Sequence, residues 1–337
     1  MGLRLVAMAA LAALVLSLGG CASGPTEART PAGLGDIASQ GIALEATLAP
    51  VPLTFTVEGT SQGSMEVAGL AWWPDASTKT VVLGLHGVAG YKENNWGPQP
   101  VPGYSMAHRQ VALGRSFVAI DLPGYGGSGG DRTIGAHSDL LLAVDQVADD
   151  LRAGTYIAQG TEPRAFPLVV GVGHSMGAWV LENTQSSFAT FDAIVSMGFS
   201  HHGVSQEFRG CLLGEPVAGP CRDPYFHAPG MDPLVYQHMN ETLGPAPATL
   251  SPVFLAWFHA QDPALNAAML SRITCPVLLQ FGAEDWIWAD VTHDDDAFPA
   301  VDAALQIVPD AGHFNLHHRS HAQAFAGIEA WLSSAGV

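Results

Sequence analysis

One stretch limits what this chain can fold into more than any other: Leu168-Val169-Val170-Gly171-Val172-Gly173-His174-Ser175-Met176-Gly177-Ala178-Trp179. An apolar run of strand length delivers a serine with glycines two positions to either side, and helix-forming residues follow at once. A chain that turns from a strand straight into a helix holds its apex residue in a strained backbone. Only glycine-sized neighbours let strand and helix pass so closely. The pattern G-x-S-x-G, filled by Gly173, Ser175 and Gly177, predicts that turn, with the Ser175 hydroxyl standing clear of a sheet and a helix N-terminus behind it.

The segments around this turn predict an α/β chain. Val51 to Val57 and Met65 to Trp73 read as an antiparallel hairpin at a sheet edge, with the turn in Gly59 to Gly63. From Thr80 onward strands alternate with helices, the signature of a mostly parallel, doubly wound sheet of about eight strands. The strands are Thr80 to Leu85, Ser116 to Ile120, the run before Ser175, Asp192 to Phe199, Pro276 to Phe281 and Ala304 to Val308. Helices are predicted at Ser105 to Gly114, Ser138 to Arg152 and Gln323 to Leu332. Between about Ser200 and Arg272 the alternation stops, and the composition turns to Pro, Gly, His and aromatics. The predicted organisation is therefore a core at 51–199 and 273–337, with an irregular, partly helical cap inserted at 200–272; Pro252 to His259 is one helical pattern within it.

A serine hydroxyl is a weak nucleophile and needs a base within reach, itself oriented by a third group. One candidate for each stands just past a later strand. Gly282-Ala283-Glu284-Asp285 follows Val277 to Phe281, and Pro309-Asp310-Ala311-Gly312-His313 follows Ala304 to Val308. Ser175, Asp285 and His313 thus come in the chain order nucleophile, acid, base, with Glu284 as a rival acid one position away. Backbone amides of Met176 and Val88 are the expected oxyanion donors, and His86 is expected to shape the loop before Val88. Asp121 to Gly129 lacks the Gly-Lys-Ser/Thr ending of a phosphate loop and reads as a structural turn. His201, His202, His317, His318 and His321 offer no metal-ligand spacing and read as solvated or helix-surface residues. Asp294-Asp295-Asp296 reads as a solvated helix start. No metal and no organic cofactor is expected. Phe199, Phe208, Tyr225, Phe226, Trp257, Phe258, Trp286 and Trp288 are expected to be mostly core, with a few lining an apolar acyl or alcohol pocket.

The His86-Gly87 turn, Asp121-Leu122-Pro123-Gly124-Tyr125-Gly126-Gly127-Ser128, the elbow at Ser175, Gly282-Ala283-Glu284-Asp285 and Gly312-His313 together resemble the α/β-hydrolase superfamily from about Val51 to the end of the chain. The resemblance implies a serine hydrolase that cleaves an ester or related acyl bond of a small-to-medium hydrophobic substrate through an acyl-enzyme on Ser175. Two other readings stay open. One is a peptidase of the proline-iminopeptidase type, with Glu207, Glu215 or Glu241 receiving the substrate amine. The other is a non-catalytic surface binding protein on the same fold.

The N-terminal end predicts export. Arg4 precedes an apolar run from Leu5 to Leu18 that is short for a membrane span. Leu18-Gly19-Gly20-Cys21 resembles the lipobox of bacterial lipoproteins, which implies cleavage before Cys21 and a lipid anchor on it, at the periplasmic or extracellular face. An ordinary secretory signal cut near Ala22 or Ser23 is the alternative. Residues 21–50 read as a flexible tether. In an exported chain Cys211 and Cys221, flanking a Gly/Pro-rich stretch, suggest a disulfide, and Cys275 a buried free thiol. With a formal net charge of −18 and lysine only at positions 79 and 92, the chain has no basic footprint for nucleic acid.

Overall fold

The computed structural model describes residues 34–74, 77–131, 137–213, 226–243 and 263–337. Strands β1 (Val51–Thr60) and β2 (Gly63–Trp72) form the expected hairpin. They are followed by β3 (Thr80–Leu85), β4 (Ser116–Ile120), β5 (Ile157–Ala158), β6 (Leu168–His174), β7 (Ala193–Met197), β8 (Val277–Gly282) and β9 (Ala304–Val308). These make one sheet in the order β5-β1-β2-β4-β3-β6-β7-β8-β9. Strands β3, β4 and β6 to β9 run parallel, with β2 joined antiparallel to β4. The ninth strand, β5, is two residues that cover the outer edge of β1, too short to leave a periodic signal.

The near-continuous apolar character of β3, β4, β6, β7 and β8 follows from burial on both faces, while β9 at the edge is half-buried. Alternate side chains still sort to opposite sides. Val81, Leu83 and Leu85 of β3, with Val118 and Ile120 of β4, face one core; Val82, Phe117 and Ala119 face the other. Helices α4 (His137–Ala153) and α5 (Met176–Phe188) cover the first face through Leu141, Val144, Val147, Leu151, Val180 and Leu181. Helices α3 (Met106–Ala112) and α9 (His321–Ala335) cover the second through Met106, Val111, Phe325, Ile328 and Leu332. Arg109 of α3 and Glu329 of α9 close this layer with a buried two-pronged ion pair, Nη2 to Oε2 at 3.1 Å. Burial would make such a pair costly, and the doubly hydrogen-bonded geometry offsets that cost. A short helix missed in the sequence, α2 (Lys92–Trp96), lies between β3 and α3.

The tether expected over residues 21–50 is corrected in its second half. Leu34–Glu45 is helix α1, lying along α3. At Gly41 a Cβ would stand 3.6 Å from the Arg109 Cα, so the two backbones are nearly in contact. The Glu45 carboxylate accepts from the amides of Gly103 (3.0 Å) and Ser105 (3.2 Å). His108 Nε2 bonds the Leu48 carbonyl at 3.1 Å, and Leu44 and Leu48 pack on the second core. The docking is tertiary, which a local reading of Gly, Ser and Ala could not reveal. The expected signal segment and Cys21 lie outside the described residues. Among the described residues no helix is long and apolar enough to cross a membrane.

Within the cap, α6 (Gln206–Leu213), a short 3-10 turn at Ala228–Gly230, α7 (Pro233–Thr242) and α8 (Pro263–Leu270) are described. The helical pattern at 252–259 lies outside them, as does Cys221. Cys275 is a free, half-buried thiol, and burial pushes its pKa up to about 12.

Glu45→Ala leaves the Gly103 and Ser105 amides without their acceptor. It should destabilise the fold by about 1–3 kcal/mol, read as a lower midpoint in urea unfolding followed by circular dichroism.

Candidate active site

Ser175 sits at the apex between β6 and α5 with φ +54° and ψ −117°, a conformation that costs a non-glycine residue free energy. The crossing that imposes it leaves no room for side chains. A Cβ at Gly173 would lie 2.5 Å from the Gly177 carbonyl oxygen, and one at Gly177 only 2.2 Å from that of Leu85. The Ser175 amide donates to the Met197 carbonyl at 2.8 Å, which fastens the apex to the end of β7.

His313 packs against the same strand end. Gly198, at φ +61°, faces its imidazole so closely that a Cβ there would be 3.2 Å from both Cε1 and Nδ1. Asp285, after β8, is hydrogen-bonded through Oδ2 to His313 Nδ1 at 2.8 Å, with both side chains buried. The rival Glu284 is exposed, its amide donating to the Ala311 carbonyl. The structure thus brings Asp285 and His313 into contact and sets Ser175 beside the same strand end. Among the hydrogen bonds of the described residues there is none from Ser175 Oγ to His313.

The second amide expected to serve the serine follows Gly87. A Cβ on Gly87 would meet Ser175 Cβ at 3.3 Å, so the backbone at Gly87 lies against the Ser175 side chain. Among the described residues neither the Val88 nor the Met176 amide is engaged in a hydrogen bond. His86 does shape this loop. It is fully buried, its Nδ1 bonds the Gly87 carbonyl at 2.8 Å, and its Nε2 accepts from the Leu122 amide at 3.0 Å. Burial pulls its pKa to about 4, so it stays neutral. Asp121 is the structural hub expected of its loop. It accepts from the amides of Lys92 (3.0 Å) and Gly127 (2.8 Å) and pairs with the Lys92 ammonium.

The reading of the remaining histidines as surface residues is corrected at three positions. His317 and His318 are buried, with pKa values lowered by burial to about 3 and about 4. The His201 side chain is also buried, 3.0 Å from Glu182, itself buried on α5. Burial opposes its charge, but the carboxylates of Glu182 and Asp294 outweigh that and raise its pKa. Asp294, expected in solvent, is buried and accepts from Ser200 Oγ and the His201 amide, both at 2.8 Å. His174, between Gly173 and Ser175, was not singled out in the sequence. It is buried, bonds the His313 carbonyl through Nε2 at 3.0 Å, and is held well below its ordinary pKa by burial. The catalytic-type loop is thus surrounded by neutral imidazoles, a feature no spacing rule detects. Among the described residues no cluster could hold a metal ion. Of the cap aromatics, Phe199, Phe226 and Trp288 are core, while Phe208 and Trp286 are half-buried and meet edge to face at 5.4 Å. Tyr225, Trp257 and Phe258 lie outside the described residues.

A strained apex serine beside a hydrogen-bonded carboxylate–imidazole pair, at the carboxyl edge of a doubly wound sheet, defines a hydrolase-type site. The model of the alpha/beta hydrolase family matches residues 81–328, and the chain belongs to that family. No curated protein matches it by sequence. Solved structures share the fold. One is a soluble variant of monoglyceride lipase from Saccharomyces cerevisiae in complex with a substrate analogue, at TM-score 0.60 and 14% identity over 85% of this chain and 96% of that one. Another is a thermophilic esterase from Thermogutta terrifontis, at TM-score 0.58 and 15% identity over 84% and 99%. A third, a bacterial membrane phospholipase A, aligns at TM-score 0.54 and 17% identity over 90% and 91%.

The buried neutral histidines contribute to the acid sensitivity of the fold. Below about pH 6.5 the unfolded chain protonates them, whereas folded His86, His317 and His318 resist until about 4, 3 and 4. The unfolded state therefore binds more protons in that window, so stability from these groups is complete above pH 6.5 and declines as pH falls toward 4. Thermal midpoints measured from pH 7.5 to 4 should drop through this range.

Proposed function

We propose that the chain is a serine hydrolase that cleaves an ester or related acyl bond of a small-to-medium hydrophobic substrate. The observation that carries this reading is the buried Asp285–His313 hydrogen bond beside the strained Ser175. In the proposed reaction Ser175 Oγ attacks the acyl carbon as His313 Nε2 removes its proton. Asp285 holds the proton on Nδ1 and stabilises the imidazolium. The amides of Val88 and Met176 receive the charge that builds on the carbonyl oxygen. Collapse passes the proton from His313 to the departing alcohol and leaves an acyl group on Ser175. Water, deprotonated by the same imidazole, then releases the acid. The serine-to-imidazole contact is one that substrate completes, as catalytic hydrogen bonds commonly tighten only in the complex. Neither metal nor organic cofactor enters this scheme. The esterase and lipases among the structural neighbours support an ester over other acyl bonds.

For the peptidase reading, Glu207 and Glu241 are exposed, and Glu241 is engaged by Gln237 at 2.9 Å, while Glu215 lies outside the described residues. Nothing in their placement favours capture of a substrate amine. The proposal extends to the ends of the chain. Arg4, the Leu5 to Leu18 run and Leu18-Gly19-Gly20-Cys21 support export and a lipid on Cys21 that holds the domain to a bacterial membrane. The exported state would support the disulfide expected between Cys211 and Cys221; Cys211 is disulfide-bonded, and Cys221 lies outside the described residues.

With p-nitrophenyl esters of increasing chain length, Ser175→Ala should lose at least about 1,000-fold in kcat and Asp285→Asn about 100- to 10,000-fold. Glu284→Gln should stay near wild type. Equal turnover by Ser175→Ala and wild type would remove the reading. Separately, Cys21→Ser should move the protein from the membrane to the soluble fraction of expressing bacteria.

A further inference from the structure

His318 is fully buried, five residues past His313, and both of its ring nitrogens are occupied. Nε2 accepts two backbone amides, from Gly312 at 3.1 Å and from His227 at 3.0 Å. Nδ1 faces the Phe314 carbonyl at 2.9 Å. Two N–H donors can converge only on a lone pair, so the proton resides on Nδ1, where the carbonyl receives it. The ring is a neutral bracket with its tautomer dictated by its neighbours.

The elements it joins are the two that matter for a hydrolase site. Gly312 immediately precedes His313. His227 opens the short cap turn at Ala228–Gly230 that leads into α7. These two backbones meet without side chains between them. A Cβ on Gly312 would lie 2.7 Å from the His227 amide nitrogen, and one on Gly230 would lie 2.1 Å from the Asp310 carbonyl oxygen. The seam continues past His318. Met231 and His318 form a β-bridge, the Arg319 amide donates to the Gly230 carbonyl at 2.8 Å, and Arg319 Nη1 donates to the Pro229 carbonyl at 3.0 Å. Phe314, next to His313, packs with Phe226, Val235 and Met239 in a small apolar cluster beneath the same cap elements. His313 is held by Asp285 at Nδ1, by His174 at its carbonyl and by Gly198 against its ring. None of those three belongs to the cap.

We propose that His318 is a positioning residue that clasps the cap root to the backbone bearing His313, so that cap placement and imidazole alignment are set together. This inference rests on the hydrolase reading above. The amide of His227 fixes the cap side of the clasp and that of Gly312 the catalytic side, through one shared acceptor. Loosening it lets the His313 backbone drift relative to Ser175, and a displacement of about 1 Å in such a site costs on the order of 100-fold in rate.

The chemistry of the bracket chooses the variants. In His318→Gln the side-chain carbonyl reaches the Nε2 position and can accept both amides. His318→Asn reaches only the Nδ1 position and leaves both amides without an acceptor. With p-nitrophenyl butyrate, kcat of His318→Asn should fall about 10- to 100-fold, with KM changed less than about threefold, and His318→Gln should recover most of the loss. The downfield proton resonance of His313 Nδ1–H against Asp285 should shift or broaden in His318→Asn and return in His318→Gln. His227→Pro deletes one donor from the half-buried cap side, at φ −89°, and should lower kcat in the same sense. Wild-type kcat and an unmoved resonance in folded His318→Asn would overturn the proposal, as would a His318→Gln that falls as far as His318→Asn. If the His318 variants do not fold, full kcat in His227→Pro overturns it alone. If the wild-type protein turns over no ester, the hydrolase reading fails, and the His313 resonance in the variants still decides the clasp.

Discussion

The close crossing of β6 and α5 is the constraint to which everything else in this molecule is fitted. Two positions must carry no side chain, because the Leu85 and Gly177 carbonyls already occupy the space. The residue between them must then accept a left-handed backbone that no ordinary strand or helix supplies. That strain is sustained because the surroundings leave no alternative. The strand is buried on both faces, the helix is pinned through Ala178, Val180 and Leu181, and the apex amide is tied to β7. The rest of the sheet presents its loops to this apex. Gly87 abuts the serine from β3, Gly198 abuts the imidazole from β7, and Asp285 reaches the imidazole from β8.

Polar groups around the site are managed by keeping most of them uncharged. His86, His174, His317 and His318 are all buried, and each bonds backbone rather than a carboxylate. A neutral imidazole offers one donor and one acceptor at fixed separation, so it can bridge two backbone segments without carrying an ionic desolvation cost into the interior. Other buried polar pairs stand farther along the fold. Arg109 with Glu329 locks two helices on the far face, and His201 with Glu182 sits where the chain leaves β7 for the cap. The hydrogen-bonded Asp285–His313 pair stands at the sheet edge beside the apex serine.

Much of this was legible in the sequence, for identifiable reasons. Two-sided burial forces near-continuous apolar runs, and these marked β3, β4, β6, β7 and β8 within a residue or two, while β9, half-buried at the sheet edge, falls where it was expected at 304–308. The elbow glycines announced the crossing, and Asp285 and His313 stand after β8 and β9 as expected. The seams between distant segments did not show. Helix α1 has only a modest apolar stripe and owes its place to Glu45 meeting two amides about sixty positions along the chain. His318 and His317 are indistinguishable in sequence from solvent-facing histidines, because their partners are backbone atoms that every residue has. Asp294 looked like one of three equal acids, and only tertiary contact singles it out for burial.

The way the cap is sewn to the core has a consequence for how such an insertion can be exchanged. Its entry is stitched to the acid loop, with Val204 bridged to Trp288, the Ser205 amide on the Ile287 carbonyl at 2.8 Å, and Ser205 Oγ on the Trp286 carbonyl at 2.6 Å. A second stitch, at residues 227–231, grips the histidine loop. On the cap side both seams run mainly through backbone atoms, with Ser205 Oγ the one cap side chain named among them, while His318 and Arg319 supply their side chains from the core. A graft of foreign specificity should therefore be spliced inside the seams, after Ser205 and before Phe226 or beyond Leu243. Cutting at the ends of β7 and β8 would instead carry away the struts that hold Asp285 and His313 in place.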